Sequence, residues 1–173
     1  LERMANSLPY NSSKRVVCLA KHLEEPSACS ELFEEVKQIF PHLDVLINNA
    51  AIHGPIGPFE ENDCFKWART IQINLLAPVL LCQAFLPLIK KSKTGSIINV
   101  SGGGATGPRP NFTAYGTSKA ALVRFSETLA KELKSRNIRV NCIAPGAMPT
   151  DLLAEVFESA AGEKEVEAAQ KVF

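Results

Sequence analysis

The chain reads as an α/β protein, a three-layer α/β/α doubly wound parallel sheet. Three observations predict this. Short apolar runs alternate with longer stretches of helical spacing. The run at 43–47 is close to continuous, the pattern of a strand covered on both faces. The strand-like runs pass into loops rich in Gly, Pro, Asn or Ser, and ligands bind such sheets beyond the carboxyl ends of the strands.

The elements follow in order. Residues 15–20 form a short strand. Ser27 can cap a helix that carries Leu32, Phe33, Val36, Ile39 and Phe40 on one stripe, and Pro41 ends it. Residues 43–47 form the next strand, followed by a loop over 50–62. A long helix spans 63–91, with Pro78 bending it. The stretch 96–100 is a strand, 102–110 a Gly/Pro loop and 111–136 a helix. Residues 138–143 form the last strand. The loop 144–150 leads to a final helix, for which Asp151 is the predicted cap.

The whole, 1–173, is one domain by length. Charged residues make up 21 % of the chain and the net charge is +1, which argues against nucleic acid or an acidic membrane surface as partner. The five cysteines are scattered and odd in number. They read as small hydrophobes in a reducing, cytoplasmic compartment, with no disulfide framework and no metal site. The first residues hold no run of signal-peptide type. The apolar run 75–89 is too short for a membrane span and fits a buried helix.

The most informative stretch is Tyr115-Gly-Thr-Ser-Lys119. On a helix, residues four apart share one face, one turn apart. A phenol titrates near ~10 in water, and an ammonium beside it is expected to lower that value. The pair is therefore suited to moving a proton to or from an alcohol oxygen. Other clues are weaker singly. Asn48-Asn49-Ala50-Ala51 follows a strand and has ordinary turn chemistry as its plain alternative. Asn74 sits in mid-helix four residues before Pro78. It implies a local distortion that binds water or, equally, a satisfied interior amide. Ser101 ends a strand. Gly102-Gly103-Gly104 does not open directly into a helix and so is not a phosphate cradle. Pro145-Gly146 and Thr150 could bind through backbone amides and a hydroxyl, or form a common turn. His22, His42 and His53 share no metal-ligand spacing and read as surface or packing residues.

The joint order is specific: strand-Asn-Asn-Ala, helix-Asn, strand-Ser, Tyr-x-x-x-Lys, strand-Pro-Gly-x-x-x-Thr. It resembles the classical short-chain dehydrogenase/reductase family from about Val16 to Asp151. The resemblance implies a Rossmann-type fold and hydride transfer between NAD or NADP and a small alcohol or carbonyl substrate. It implies Tyr115 as acid/base, Lys119 as its partner and ribose ligand, Asn74 holding a relay water, and Ser101 as the nearest hydroxyl. Asn48, Ala50, Pro145, Gly146, Met148 and Thr150 would line the cofactor site. The helices 63–91 and 111–136 would pair subunits in a homodimer or homotetramer.

The chain also departs from the family pattern. The opening glycine-rich turn that binds pyrophosphate is not in this sequence, and the first two strand-helix units are expected to be absent. A fragment, a short isoform and an incomplete gene model all fit. The gap predicts uncovered apolar faces and unpaired backbone in the sheet. The family serine falls at Gly102, so Ser101 replaces it only through a bulge or local turn. One lost donor of that kind costs on the order of 3 kcal/mol in comparable sites. His22 falls near a position that touches adenine. A second reading from another class is a catalytically inactive remnant that only pairs with a full-length homologue.

Overall fold

The computed structural model describes residues 16–159 and 161–172. Its frame is a parallel sheet of β1 (Val45–Asn48), β2 (Ser96–Val100) and β3 (Arg139–Ile143), in the order β1-β2-β3. Before β1 comes α1 (Pro26–Ile39). Between β1 and β2 run α2 (Cys64–Ile71), a π-helical turn (Gln72–Leu76) and α3 (Ala77–Ile89). Helix α4 (Thr113–Leu133) joins β2 to β3, and α5 (Asp151–Ala154) and α6 (Glu163–Gln170) follow.

Crossovers between parallel strands share one hand. Two of them stepping the same way across a sheet lay their helices on the same face. Accordingly, Leu46, Ile97 and Val140, in register across the sheet, pack into one core with Ala77, Leu81, Phe85 and Leu133 from α3 and α4. The apolar stripe of α1 joins this core, with Phe33 edge-on to Phe85 at 5.7 Å. The opposite face is bare among the described residues. Val45 is 44 %, Ile47 58 % and Ile143 47 % exposed. Covering a side chain of this kind contributes roughly 1.5–3 kcal/mol, which these positions forgo. The expected α/β class, a parallel sheet with helices, is borne out; among the described residues the helices cover one face of it and β1 stands at an edge. This corrects the expectation that 43–47 is covered on both sides.

Three local expectations are corrected. Residues 16–20 form no strand, and Arg15 lies outside the described residues. Glu25, not Ser27, stands at the cap of α1, because Pro26 already has the backbone angle of a first helical residue. Thr150, not Asp151, caps α5, its hydroxyl accepting from the Leu153 N–H at 3.4 Å. The helix expected at 63–91 is present as Cys64–Ile89, 26 residues interrupted by a π-turn and long and apolar enough, by length and composition alone, to cross a membrane. Here Ala77, Leu81, Cys82, Phe85, Leu88 and Ile89 spend that apolar surface on the core.

The distortion expected near Asn74 is the π-turn itself. Pro78 has no N–H to offer the Asn74 carbonyl four residues earlier, so the α-helical ladder cannot continue there. Such a turn re-aims side chains, and Asn74 is wholly buried, pointing toward α4.

Candidate active site

Tyr115 lies in the first turn of α4 and Lys119 one turn on, 6 % and 2 % exposed. The Lys119 ammonium sits 5.7 Å from the Tyr115 ring centroid and donates to the Val100 carbonyl at 2.7 Å. The Ser101 hydroxyl donates in turn to the Lys119 carbonyl at 3.4 Å. The end of β2 and the start of α4 are thus cross-tied, which fixes the phenol at the carboxyl rim of the sheet. Burial pushes the Lys119 ammonium down to about 8. Burial also raises the Tyr115 phenol above its ordinary value, with Arg109 pulling it partly back. This corrects the expectation that Lys119 brings the phenol down: loss of hydration outweighs the nearby cation.

Gly102 explains the missing hydroxyl. A Cβ built there would lie 2.3 Å from the Tyr115 hydroxyl oxygen. The phenol therefore occupies the space that any side chain at 102 would need. Ser101 stands at the cavity wall, its hydroxyl donating to the Lys119 carbonyl over a long 3.4 Å.

Asn74 fastens two elements to each other. Its Oδ1 accepts from the Ile52 N–H at 2.9 Å, and its Nδ2 donates to the Ile52 carbonyl at 2.8 Å and to Ser118 Oγ at 3.0 Å. Both amide hydrogens are engaged, the geometry of a satisfied interior amide. Fixing Ile52 also fixes His53, which no sequence argument had placed here. The following Gly54, at φ +72, passes so near Thr70 that a Cβ would sit 1.8 Å from the Thr70 hydroxyl. His53 is buried, edge-on to Tyr115 at 4.9 Å and to Phe112 at 5.5 Å. Burial first, then Arg109 and Lys119, lower it to about 4, so the ring is neutral at pH 7. Its Nδ1 lies 3.1 Å from Glu155 Oε2, where a neutral ring donates to a carboxylate.

Arg109 was likewise overlooked. Its guanidinium stacks on Phe112 at 3.7 Å and lies 6.0 Å from the Tyr115 ring centroid. Nε and Nη2 both donate to Glu165 Oε2, at 3.0 and 2.7 Å. Val156, Ala161 and Ala169 pack with Phe112 and Tyr115 in a second apolar cluster. The C-terminal segment therefore packs on the phenol through an apolar surface, and its two carboxylates pair with the neighbouring His53 and Arg109. Neither His53 nor Arg109 carries a local sequence pattern that would have marked it.

These groups open on a cavity of about 830 Å³ at the strand ends. Of the expected residues, Ala50, Ser101, Tyr115, Lys119, Pro145, Gly146, Met148 and Thr150 line it. Asn48 does not. Its Nδ2 donates to Asn99 Oδ1 at 2.8 Å and, longer, to Cys82 Sγ, inside the sheet–helix layer. Its neighbour Asn49 lines the cavity instead, as alternate strand residues point to opposite sides. Asn74 stands behind the wall rather than in it. His22 is exposed and is not among the lining residues. No cluster of three or more metal-ligating side chains is present among the described residues.

The family model described as short chain dehydrogenase matches residues 1–161. The chain belongs to the short chain dehydrogenase family. It is 42 % identical over 108 residues to human dehydrogenase/reductase SDR family member 4, covering 62 % of this chain and 39 % of that one. It is 37 % identical over 132 residues to the 3-oxoacyl-[acyl-carrier-protein] reductase FabG of Thermotoga maritima, covering 75 % and 52 %. The chain thus spans about half the length, or less, of these relatives. Among solved structures, a short chain dehydrogenase from Salmonella enterica serovar Typhi matches at TM-score 0.81 and 32 % identity, over 91 % of this chain and 67 % of that one. One from Shigella flexneri, complexed with NADP, matches at TM-score 0.75 and 33 % identity, over 86 % and 59 %. An NAD+-bound xylitol dehydrogenase matches at TM-score 0.78 and 27 % identity, over 89 % and 62 %. These relatives are oxidoreductases, which does not favour the reading of a pairing-only remnant.

Proposed function

We propose that the protein is an NAD- or NADP-dependent oxidoreductase acting on a small alcohol or carbonyl compound, with Tyr115 as its acid/base. The observation that carries this reading is the buried Tyr115–Lys119 pair facing the cavity at the carboxyl rim of the sheet. The residues fit the nicotinamide-ribose half of a dinucleotide. Asn49, Ala50, Pro145 and Gly146 give a wall of small side chains and backbone, and two of the three Lys119 N–H groups remain for ribose hydroxyls beyond the bond to Val100. When bound, the nicotinamide supplies or accepts the hydride.

The protein's own part is proton handling and position. A raised phenol pKa keeps Tyr115 protonated at neutral pH, ready to donate to the oxygen of a carbonyl as it is reduced. Alcohol oxidation needs the phenolate and so gains as pH rises. Lys119 anchors the strand end, and Asn74 holds the loop and helix that carry His53 and Tyr115. In the absence of a hydroxyl at 102, Tyr115 is the principal donor to the reacting oxygen.

The reading is tested by titrating the chain with NADH and NADPH while following nicotinamide fluorescence, then adding neutral carbonyl compounds. Saturable binding and carbonyl-dependent oxidation of the nucleotide are expected; neither occurring would reject it. A homodimer or homotetramer through the helices 63–91 and 111–136 is part of the proposal. Phe65, 87 % exposed, and Leu76, 43 % exposed, lie three turns apart on that rod and support it. Sedimentation of Phe65→Asp should show dissociation. The unpaired thiols of Cys29, Cys64, Cys82 and Cys142 suit a cytoplasmic location.

A further inference from the structure

Arg109 is a cation with an unspent edge beside the reacting group. Both hydrogen bonds to Glu165 leave from Nε and Nη2 and end on one carboxylate oxygen. Nη1 takes no part in that pair. It lies over the neighbouring glycine, 3.6 Å from where a Gly103 Cβ would stand, while the Tyr115 hydroxyl lies over Gly102. Consecutive Cα atoms are about 3.8 Å apart, so the proton donor and the free guanidinium edge look onto adjacent residues of one cavity floor. The Phe112 ring beneath the guanidinium holds its plane in place, and the side chain is only 17 % exposed. Gly103 and Gly104 keep side chains out of the space in front.

We propose that Arg109 selects the substrate: it takes a carboxylate, so the compound reduced or oxidised at Tyr115 is a small oxo- or hydroxy-acid whose carboxylate lies a few bonds from the reacting carbon. This deepens the oxidoreductase reading and rests on it for the reaction, but not for the binding. Glu165, itself at the cavity wall, is the resting counter-ion on the Nε–Nη2 edge of the guanidinium. It offsets the charge without closing the Nη1 edge. A planar guanidinium suits this task better than an ammonium, because a carboxylate can meet two of its N–H groups at once. A clamp serving only to hold α6 would need no donor edge toward the cavity.

The test uses three acids of increasing length (pyruvate, acetoacetate and 4-oxopentanoate) against their uncharged methyl esters. Ligand-observed NMR gives Kd on the full chain, wild type and Arg109→Met, without requiring turnover. At least one acid should bind more tightly than its ester, and Arg109→Met should cut that acid-over-ester preference roughly 10- to 100-fold, the range of one charge-assisted hydrogen-bonded pair. Glu165→Gln, which removes the competing carboxylate and leaves the cation, should tighten acid binding several-fold. It serves as the second arm if Arg109→Met fails to fold. Esters binding as well as acids, acids that do not bind, or an acid preference indifferent to both substitutions would overturn the proposal. Acid binding that depends on Arg109, without nucleotide oxidation, would leave it standing and count against the oxidoreductase reading alone.

Discussion

The site has two halves built in different ways. One half is borne by regular elements: Tyr115 and Lys119 on α4, Ser101 at the end of β2, Asn74 in the π-turn. The other is borne by loops and the C-terminal segment: His53, Arg109, and the carboxylates Glu155 and Glu165. In the first, position follows from local geometry and short ties, such as Lys119 to Val100 and Asn74 to Ile52. In the second, the contacts with carboxylates span a long stretch of chain: 102 residues from His53 to Glu155 and 56 from Arg109 to Glu165. The loop-borne half packs directly on the helix-borne one, His53 and Arg109 both lying against the Tyr115 ring.

Substitutions can break or sharpen this contrast. The largest effect is expected at Asn74. Replacing it with Ala leaves the Ile52 N–H and carbonyl without partners in a buried place, at a cost of about 3–5 kcal/mol in unfolding free energy. Denaturant titration measures this; a loss under about 1 kcal/mol would show that the helix-borne half does not depend on that fastening.

Next comes Lys119. Its folded value of about 8 lies below the ordinary 10.5, so between those limits the unfolded chain binds the extra proton and stability rises with pH. The wild type should gain about 3 kcal/mol relative to Lys119→Met from pH 7.5 to 10.5. Parallel stability curves for the two proteins would contradict the buried ammonium.

His53 gives the matching test in the loop-borne half. The folded value near 4 lies below the ordinary 6.5, so stability is lost as pH falls through that interval. Burial raises Glu155, which works the other way on acidification. A net difference of about 2 kcal/mol between wild type and His53→Phe should open from pH 6.5 to 4. No difference would mean that the ring is hydrated rather than packed on Tyr115.

Gly102→Ala is the mildest for the fold, costing about 1–2 kcal/mol as the phenol shifts away from the new methyl. It should nevertheless lower turnover far more than stability, since that shift moves the proton donor. Equal turnover would show that the hydroxyl does not need the space over residue 102.

The same division governs how much could be read from the chain alone. Tyr-x-x-x-Lys announces itself because helical periodicity puts the pair on one face whatever surrounds it. The strand at 96–100 was legible to the residue, because its apolar run is bounded by Gly95 and the glycine loop. Residues 15–20 were misread as a strand: an apolar run acquires a ladder only where a neighbouring strand offers one, and none pairs with 16–20 among the described residues. Asn48 and Asn49 were told apart only by which side of β1 each side chain takes. His53 and Arg109 carry no local pattern. Their roles come from carboxylates far along the chain, and an isolated His or Arg in a loop gives no sign of that. The sign of the Tyr115 shift was also out of reach, because it depends on how deeply Val156, Ala161 and Ala169 bury the ring.

The central claim is that the Tyr115 hydroxyl passes the proton while a nicotinamide carries the hydride. It is tested most directly by single-turnover reduction of a bound carbonyl compound in wild type and Tyr115→Phe, with circular dichroism confirming an unchanged fold. The account predicts a fall of roughly 10²–10⁴ in the rate of hydride transfer with nucleotide affinity retained. A Tyr115→Phe protein that turns over at the wild-type rate would contradict it.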